Sequence, residues 1–284
     1  MSEKKTLTKG QKARKAIIIV LCCLVGLVLV LLLGIRGYFR IPVSEYYKNS
    51  EKAFVIPGLS DGMTHQGLAY DSENDTFLIT GYRSDGNASQ VSVVSRADGE
   101  EVKRLDLAYE DGSAFTGHVG GITVYGKYIY VADTDGLYAF NRSDIVDAAD
   151  GGSVKAVGLF KTSAAGDTLG VAFTHVEGDM IYVGEFYREE NYPTPDSHKY
   201  KTAAGDDNTA LILAYKLDAA APLGISEKIE RAYSARGLVQ GMCFDADGRI
   251  YLSTSYAVAF SHVYIYDATK EEGTVTVLGQ TVPR

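Results

Sequence analysis

The sequence predicts an all-β fold of four repeated four-stranded sheets behind one membrane-spanning helix, and three observations carry that expectation. First, four segments align with one another: "HQGLAYDSENDTFLITGY" from His65, "HVGGITVYGKYIYVADT" from His118, "TLGVAFTHVEGDMIYVGEF" from Thr168 and "VQGMCFDADGRIYLSTS" from Val239. Second, 30 glycines and 20 tyrosines stand against 6 prolines and no tryptophan. Tyrosine suits half-buried strands and glycine the tight turns between them. Third, residues 16–35 form an uninterrupted apolar run with no charged residue.

In chain order, the first element is a basic tail, residues 1–15, with Lys4, Lys5, Lys9, Lys12, Arg14 and Lys15 against the single acid Glu3. The apolar run "AIIIVLCCLVGLVLVLLLGI" follows. As a helix, 20 residues at about 1.5 Å each reach roughly 30 Å, the thickness of a bilayer's hydrocarbon core. A cleaved signal peptide is the competing reading, but its apolar stretch is shorter and ends at a small-residue site, which "GIRGYFRIP" does not supply. The excess of bases before the run places the tail in the cytoplasm and the remaining chain outside the cell.

Residues 36–64 read as a linker carrying an accessory strand, "AFVIPGL" at 53–59, and residues 65–284 as the repeat domain. In each repeat a glycine, at 67, 121, 170 and 241, opens an inner strand; a second apolar run centres on Leu78, Tyr130, Tyr182 and Tyr251. Third strands follow at 91–95, 137–140, 211–215 and 263–267, and fourth strands as "EVKRLDL", "SVKAVGLF", "KIERAY" and "TVTVLG". A four-stranded sheet cannot bury both faces alone, so such sheets pack as blades around a channel, which makes the domain a β-propeller. Four blades are recognisable; the extra strand at 53–59 leaves open an incomplete five-bladed form.

The glycine-led inner strand with "IYVADTDGLYAF" resembles the β-propellers of the NHL, YVTN and gluconolactonase-like groups, and similar secreted or membrane-anchored bacterial propellers, over residues 65–280. The resemblance implies the propeller fold, and activities ranging from protein binding to calcium-dependent lactone hydrolysis. Fold analogy alone does not choose among them.

Charge narrows the partners. Six of the 28 bases and one of the 36 acids precede the helix, leaving 22 bases and 35 acids, a net charge of −13, in residues 36–284. Such a domain repels nucleic acid and anionic headgroups. Cys22 and Cys23 lie in the apolar run, so Cys243 is alone in the domain, cannot form an internal disulfide, and reads as plain core.

Candidate site residues follow from blade geometry. The start of an inner strand and the end of the next strand share one face of the disk. That gathers His65, Gln66, His118 and Gln240 with Arg83, Asp133, Glu185, Tyr187 and Tyr256 into a funnel for a cation, a small polar ligand or an extracellular protein, or into hydrogen bonds between blades. Asp133 and Glu185 are the candidate ligands of a divalent cation such as calcium, and His118 the candidate base if the domain is a metal-dependent lactonase or esterase. Insertion 188–208, "REENYPTPDSHKYKTAAGDDN", projects over that face as a lid, a partner contact or a disordered loop. "GLSDG" at 58–62 has the G-x-S-x-G spacing around Ser60, but no helix follows and it reads as a linker turn. "DADG" at 245–248 reads as a hairpin turn, and Asn87 and Asn141 head N-x-S patterns that matter only in a glycosylating cell. The leading expectation is a membrane-anchored extracellular binding module; the alternatives are the lactonase-type hydrolase and an envelope scaffold.

Overall fold

The computed structural model describes residues 8–284. Residues 1–7 of the basic tail, with Lys4 and Lys5, lie outside the described residues. The chain forms two compact units, the first ending at Ala53 and the second spanning Phe54–Arg284.

The first unit is dominated by helix α1, Lys9–Arg40. Thr8 caps it reciprocally: its hydroxyl accepts the Gln11 N–H while the Gln11 side chain accepts the Thr8 N–H. The helix outruns the apolar stretch at both ends because lysine, arginine and alanine are good helix formers. By length and composition it can cross a membrane, and none of its residues is buried by protein. A short helix α2, Ser44–Lys48, follows. The strand predicted at 53–59 does not form. Pro57 cannot donate to a ladder, and Gly58 and Gly62 take positive φ, so residues 57–62 make a turn that contains Ser60.

The second unit is a β-propeller. Blade 1 is β1 (Met63–Asp71), β2 (Thr76–Arg83), β3 (Gln90–Ser95) and β4 (Glu101–Ala108). Blade 2 is β5 (Gly121–Tyr125), β6 (Tyr128–Asp133), β7 (Gly136–Asn141) and β8 (Ser153–Lys161), with helix α3 (Arg142–Asp147) before its last strand. The outer strands β4 and β8 pair in parallel, joining the two blades into one eight-stranded sheet. Two-residue strands β9 (Ser163–Ala164) and β10 (Asp167–Thr168) lead into blade 3. That blade is β11 (Val171–Glu177), β12 (Met180–Glu185), β15 (Ala210–Leu217) and β16 (Ile225–Ala235). The insertion between β12 and β15 carries a 3-10 turn at Asp196–His198 and a small ladder of β13 (Tyr200–Lys201) with β14 (Asp207–Asn208).

Blade 4 departs from the expected pattern. Its sheet holds three strands, β17 (Val239–Phe244), β18 (Arg249–Thr254) and β19 (His262–Asp267). The fourth strand expected at "TVTVLG" is β20 (Thr274–Val277), but it pairs with β21 (Gln280–Pro283) instead of β19. Leu278 and Gly279 both take positive φ, the geometry of a tight two-residue hairpin turn, and this folds the segment back on itself. Val275, Val277, Leu278 and Val282 are buried in the core between blades 2 and 3, a larger gain than an exposed edge on β19 offers.

Three apolar cores lie between successive blades. Leu78, Leu105, Ile129 and Phe140 fill the first, Tyr130, Leu169, Leu213 and Tyr215 the second, and Phe173, Ile212, Met242 and Leu252 the third. Asp71 of blade 1 accepts from the Arg142 guanidinium of α3 in a buried ion pair, adding a polar tie across the first junction. Among the described residues no further blade covers blade 4, and Val263 and Ile265 on its outer face are 63% and 56% exposed. Cys243 lies on the same uncovered face and is exposed, correcting its reading as core.

The inner strands β1, β5, β11 and β17 line a channel of about 650 Å³ that opens between blades 1 and 4, where Phe77, Tyr251, Ser253 and Val263 line it too. Close backbone approach explains two of the anchor glycines. A Cβ on Gly67 would meet the Ile122 nitrogen at 2.7 Å, and one on Gly121 the Thr174 nitrogen at 2.8 Å. Gly170 is not the anchor expected in blade 3: Phe173, opposite Gly184, takes that place, and Gly170 lies before β11 with no atom within 4 Å of such a Cβ.

Candidate ligand-binding site

The open space beside Gly170 belongs to a cavity of about 810 Å³ at one end of the channel. Strand ends build it. Gln66 comes from β1, Tyr82 from β2, His118 and Gly120 from the run into β5, Glu185 from the end of β12, Gln240 from β17 and Tyr256 from just beyond β18. Residues 191–195 of the insertion form its far wall. The volume is within the roughly 300–1,000 Å³ range of small-molecule sites.

Five of the predicted site residues, Gln66, His118, Glu185, Gln240 and Tyr256, therefore meet at one cavity; His65, Asp133 and Tyr187 do not line it. His65 neighbours Gln66 on an alternating strand and points elsewhere, its Nε2 buried without a hydrogen-bond partner. Asp133 lies beneath the site, its Oδ1 accepting the His118 N–H at 2.9 Å. The Tyr187 carbonyl accepts the Leu238 N–H at 3.1 Å, and its ring lies under the Lys199 ammonium. Arg83 pairs with Asp85 at 2.6 Å.

Two of the seven non-glycine residues at positive φ among the described residues lie at the cavity. Val119, buried between His118 and Gly120, has φ +48°, and Ala257 on the opposite wall has φ +49°. A β-branched residue in this region costs on the order of 1–3 kcal/mol and persists only where its surroundings over-determine it. Here the Val119 carbonyl accepts the Thr80 hydroxyl at 3.1 Å, the Thr80 oxygen accepts the Gly67 N–H at 3.2 Å, and the Gly120 N–H donates to the Ala132 carbonyl at 2.9 Å. These bonds fix the backbone that presents His118. Its imidazole packs on Tyr82 with centroids 4.4 Å apart. Burial of the ring lowers its pKa, opposed by the charge of Asp133. Across the cavity Phe186 contacts Tyr192 edge-on at 5.3 Å and Tyr256 at 6.4 Å.

The insertion is pinned by a residue that sequence reasoning did not single out. His198 is fully buried; its Nδ1 lies 2.9 Å from Glu185 Oε1 and its Nε2 3.1 Å from Asp167 Oδ1. Carboxylates only accept, so two of them on one ring call for an imidazolium with both nitrogens donating. Burial alone lowers the His198 pKa, but the hydrogen bonds and charges of Glu185 and Asp167 outweigh it and raise the value. Glu185 Oε2 accepts the Leu211 N–H at 2.9 Å, and Asp167 Oδ2 accepts the Leu278 N–H at 3.0 Å, so the cluster also ties in β15 and the carboxy-terminal hairpin.

These bonds bear on the expected divalent cation. The carboxylates of Asp133 and Glu185 face protein donors, and among the described residues no group of three or more His, Cys, Asp or Glu side chains could hold a metal ion.

No protein-family model matches the chain, and no curated protein matches it. Solved structures of similar fold include a glutaminyl cyclase from Myxococcus xanthus, at 10% identity over 73% of this chain and 76% of that one, TM-score 0.42. A hydrazine synthase from Kuenenia stuttgartiensis matches at 13% identity over 72% of this chain and 51% of that one, TM-score 0.40. A gluconolactonase from Xanthomonas campestris matches at 14% identity over 78% of this chain and 75% of that one, TM-score 0.33. At these scores the likenesses carry no argument about activity. The propeller rests on the strand pairing itself, and the functional reading on the cavity.

Proposed function

We propose that the chain is a membrane-anchored extracellular β-propeller that binds a ligand in the cavity between the blade ends and the insertion. One observation carries this reading: rings from all four blades, Tyr82, His118, Phe186 and Tyr256, converge with a pinned insertion on one space, beside Val119 and Ala257 at positive φ. Strain of this kind is retained where a site needs it. The anchor reading draws on α1 and on the basic residues that precede it, which favour a cytoplasmic amino terminus. The test is a thermal-shift screen of the full chain in phospholipid nanodiscs against a chemically mixed set of small molecules. A binder raises the melting temperature by mass action. The expected result is at least one compound that stabilises the protein but not its Tyr192→Ala/Tyr256→Ala variant. Stabilisation that survives in that variant places the ligand elsewhere and overturns the reading.

A further inference from the structure

We propose that the cavity takes a neutral, polyhydroxylated ligand of the saccharide class; this rests on the binding-module reading and specifies what binds. The first argument is charge. Among the described residues no lysine, arginine or aspartate lines the cavity, and Glu185, the one carboxylate there, is buried with both oxygens committed to His198 and the Leu211 N–H. The nearest guanidinium, Arg188, stacks on Tyr256 at 4.4 Å and is already paired with Glu190 at 2.6 Å, so a charged ligand entering here loses its hydration without finding a free counter-charge, which is strongly unfavourable. An anion is disfavoured further by the net −13 of residues 36–284.

The second argument is shape and polarity together. Tyr82 with His118 forms one aromatic wall, and Phe186, Tyr192 and Tyr256 form the other. Tyr192 is 46% exposed, so a large apolar ring stands at the mouth with solvent on it. Sugar rings present flat C–H faces to aromatic surfaces and hydroxyls around their edges, and tyrosine supplies an apolar face with a polar tip. Between the walls stand the amides of Gln66, Gln240 and Asn191 and the hydroxyls of Thr64, Thr134 and Thr168. Gln240 donates to the Ser255 carbonyl at 3.3 Å, leaving its amide oxygen available. Amides and hydroxyls both donate and accept, matching ligand hydroxyls that do the same.

The experiment presents the full chain, in phosphatidylcholine nanodiscs free of glycosidic detergent, with neutral oligosaccharides, their uronate or sialylated counterparts and uncharged tripeptides of similar size. Tyrosine fluorescence reports binding, since the chain has 20 tyrosines and no tryptophan. The expected result is binding of a neutral saccharide, about tenfold or more tighter than its anionic counterpart, and weakened at least about fivefold by Tyr256→Ala and by Gln66→Ala. Gln66→Glu, which adds a charge at the cavity wall, also lowers that affinity while circular dichroism and melting stay near the parent. Preference for the anionic saccharides, or no saccharide binding, overturns the inference. If an uncharged tripeptide binds instead and Tyr256→Ala abolishes it, the saccharide class is wrong and the binding-module reading stands. If saccharides, peptides and the mixed small-molecule set all fail to bind, both are overturned.

Discussion

His198 shows how much a single buried side chain can hold. Three carboxylate contacts within 3.3 Å join the insertion to the end of β12 and to β10. Removing one partner of a buried charged cluster leaves the others desolvated, at a cost of about 3–5 kcal/mol, so His198→Gln is expected to lower the melting temperature and expose Lys199 and Lys201 to trypsin. The pH dependence has a definite sign. The folded pKa of His198 is raised, so its contribution is complete below its ordinary value of 6.5 and is lost as pH rises through the higher folded value. For Asp167, burial raises the pKa, but the Leu278 N–H and His198 outweigh it and lower the value. Its contribution is therefore present above 3.8 and lost as pH falls through the lower folded value. Melting curves of the parent should decline from mildly acidic toward alkaline pH, and those of His198→Gln should be flatter across that range; parallel curves would show that the clamp does not titrate as the geometry requires.

At the scale of elements, the inner strands separate packing from function. Gly67 and Gly170 both precede an apolar run in the sequence, but the strand register gives Gly67's place in blade 3 to Phe173 and leaves Gly170 before β11; a Cβ on Gly67 would press on the backbone of blade 2, whereas one on Gly170 would project into the cavity. Gly67→Ala is expected to destabilise the protein by about 1–3 kcal/mol, as overpacking does, measured by urea denaturation. Gly170→Ala is expected to stay within about 0.5 kcal/mol of the parent while weakening ligand binding. If both changes cost the same stability, the inner strands are not placed as described. The insertion follows the same logic: Tyr192, Pro193 and Pro195 form a wall, while His198 and the Thr194 hydroxyl, which donates to the Thr209 carbonyl at 2.6 Å, hold it down.

At the scale of the whole molecule, the uncovered face of blade 4 offers a test of topology. Cys243 is exposed there, while Cys22 and Cys23 lie within α1. If the propeller stands outside the cell, a membrane-impermeant maleimide should label intact cells at one site, and Cys243→Ser should abolish that labelling. Burial, followed by the nearby charges of Glu177 and Asp245, raises the Cys243 pKa, so labelling should accelerate as pH rises, because the thiolate is the nucleophile. Labelling that appears only after the cells are permeabilised would place the domain in the cytoplasm.

The sequence by itself determined the apolar helix, the four repeats, three of them led by a glycine in the inner strand, and the end of the channel at which the polar residues gather. These follow from local periodicity, since strand alternation and hairpin turns depend on neighbours a few residues apart. It also led to Gln66, His118, Glu185, Gln240 and Tyr256, because equivalent positions in repeated blades must share a face. Only the tertiary structure decided the rest. "TVTVLG" has the pattern of an outer strand, but the Leu278–Gly279 turn and the vacancy between blades 2 and 3 choose β21 as its partner. His198 carried no local signal, because its partners Glu185 and Asp167 stand 13 and 31 residues away. Cys243 looked like core because a strand's pattern does not tell whether another blade will cover it. Periodicity specifies which side of a strand is apolar; whether that side meets a neighbour, a ligand or water is settled by contacts between elements far apart in the chain.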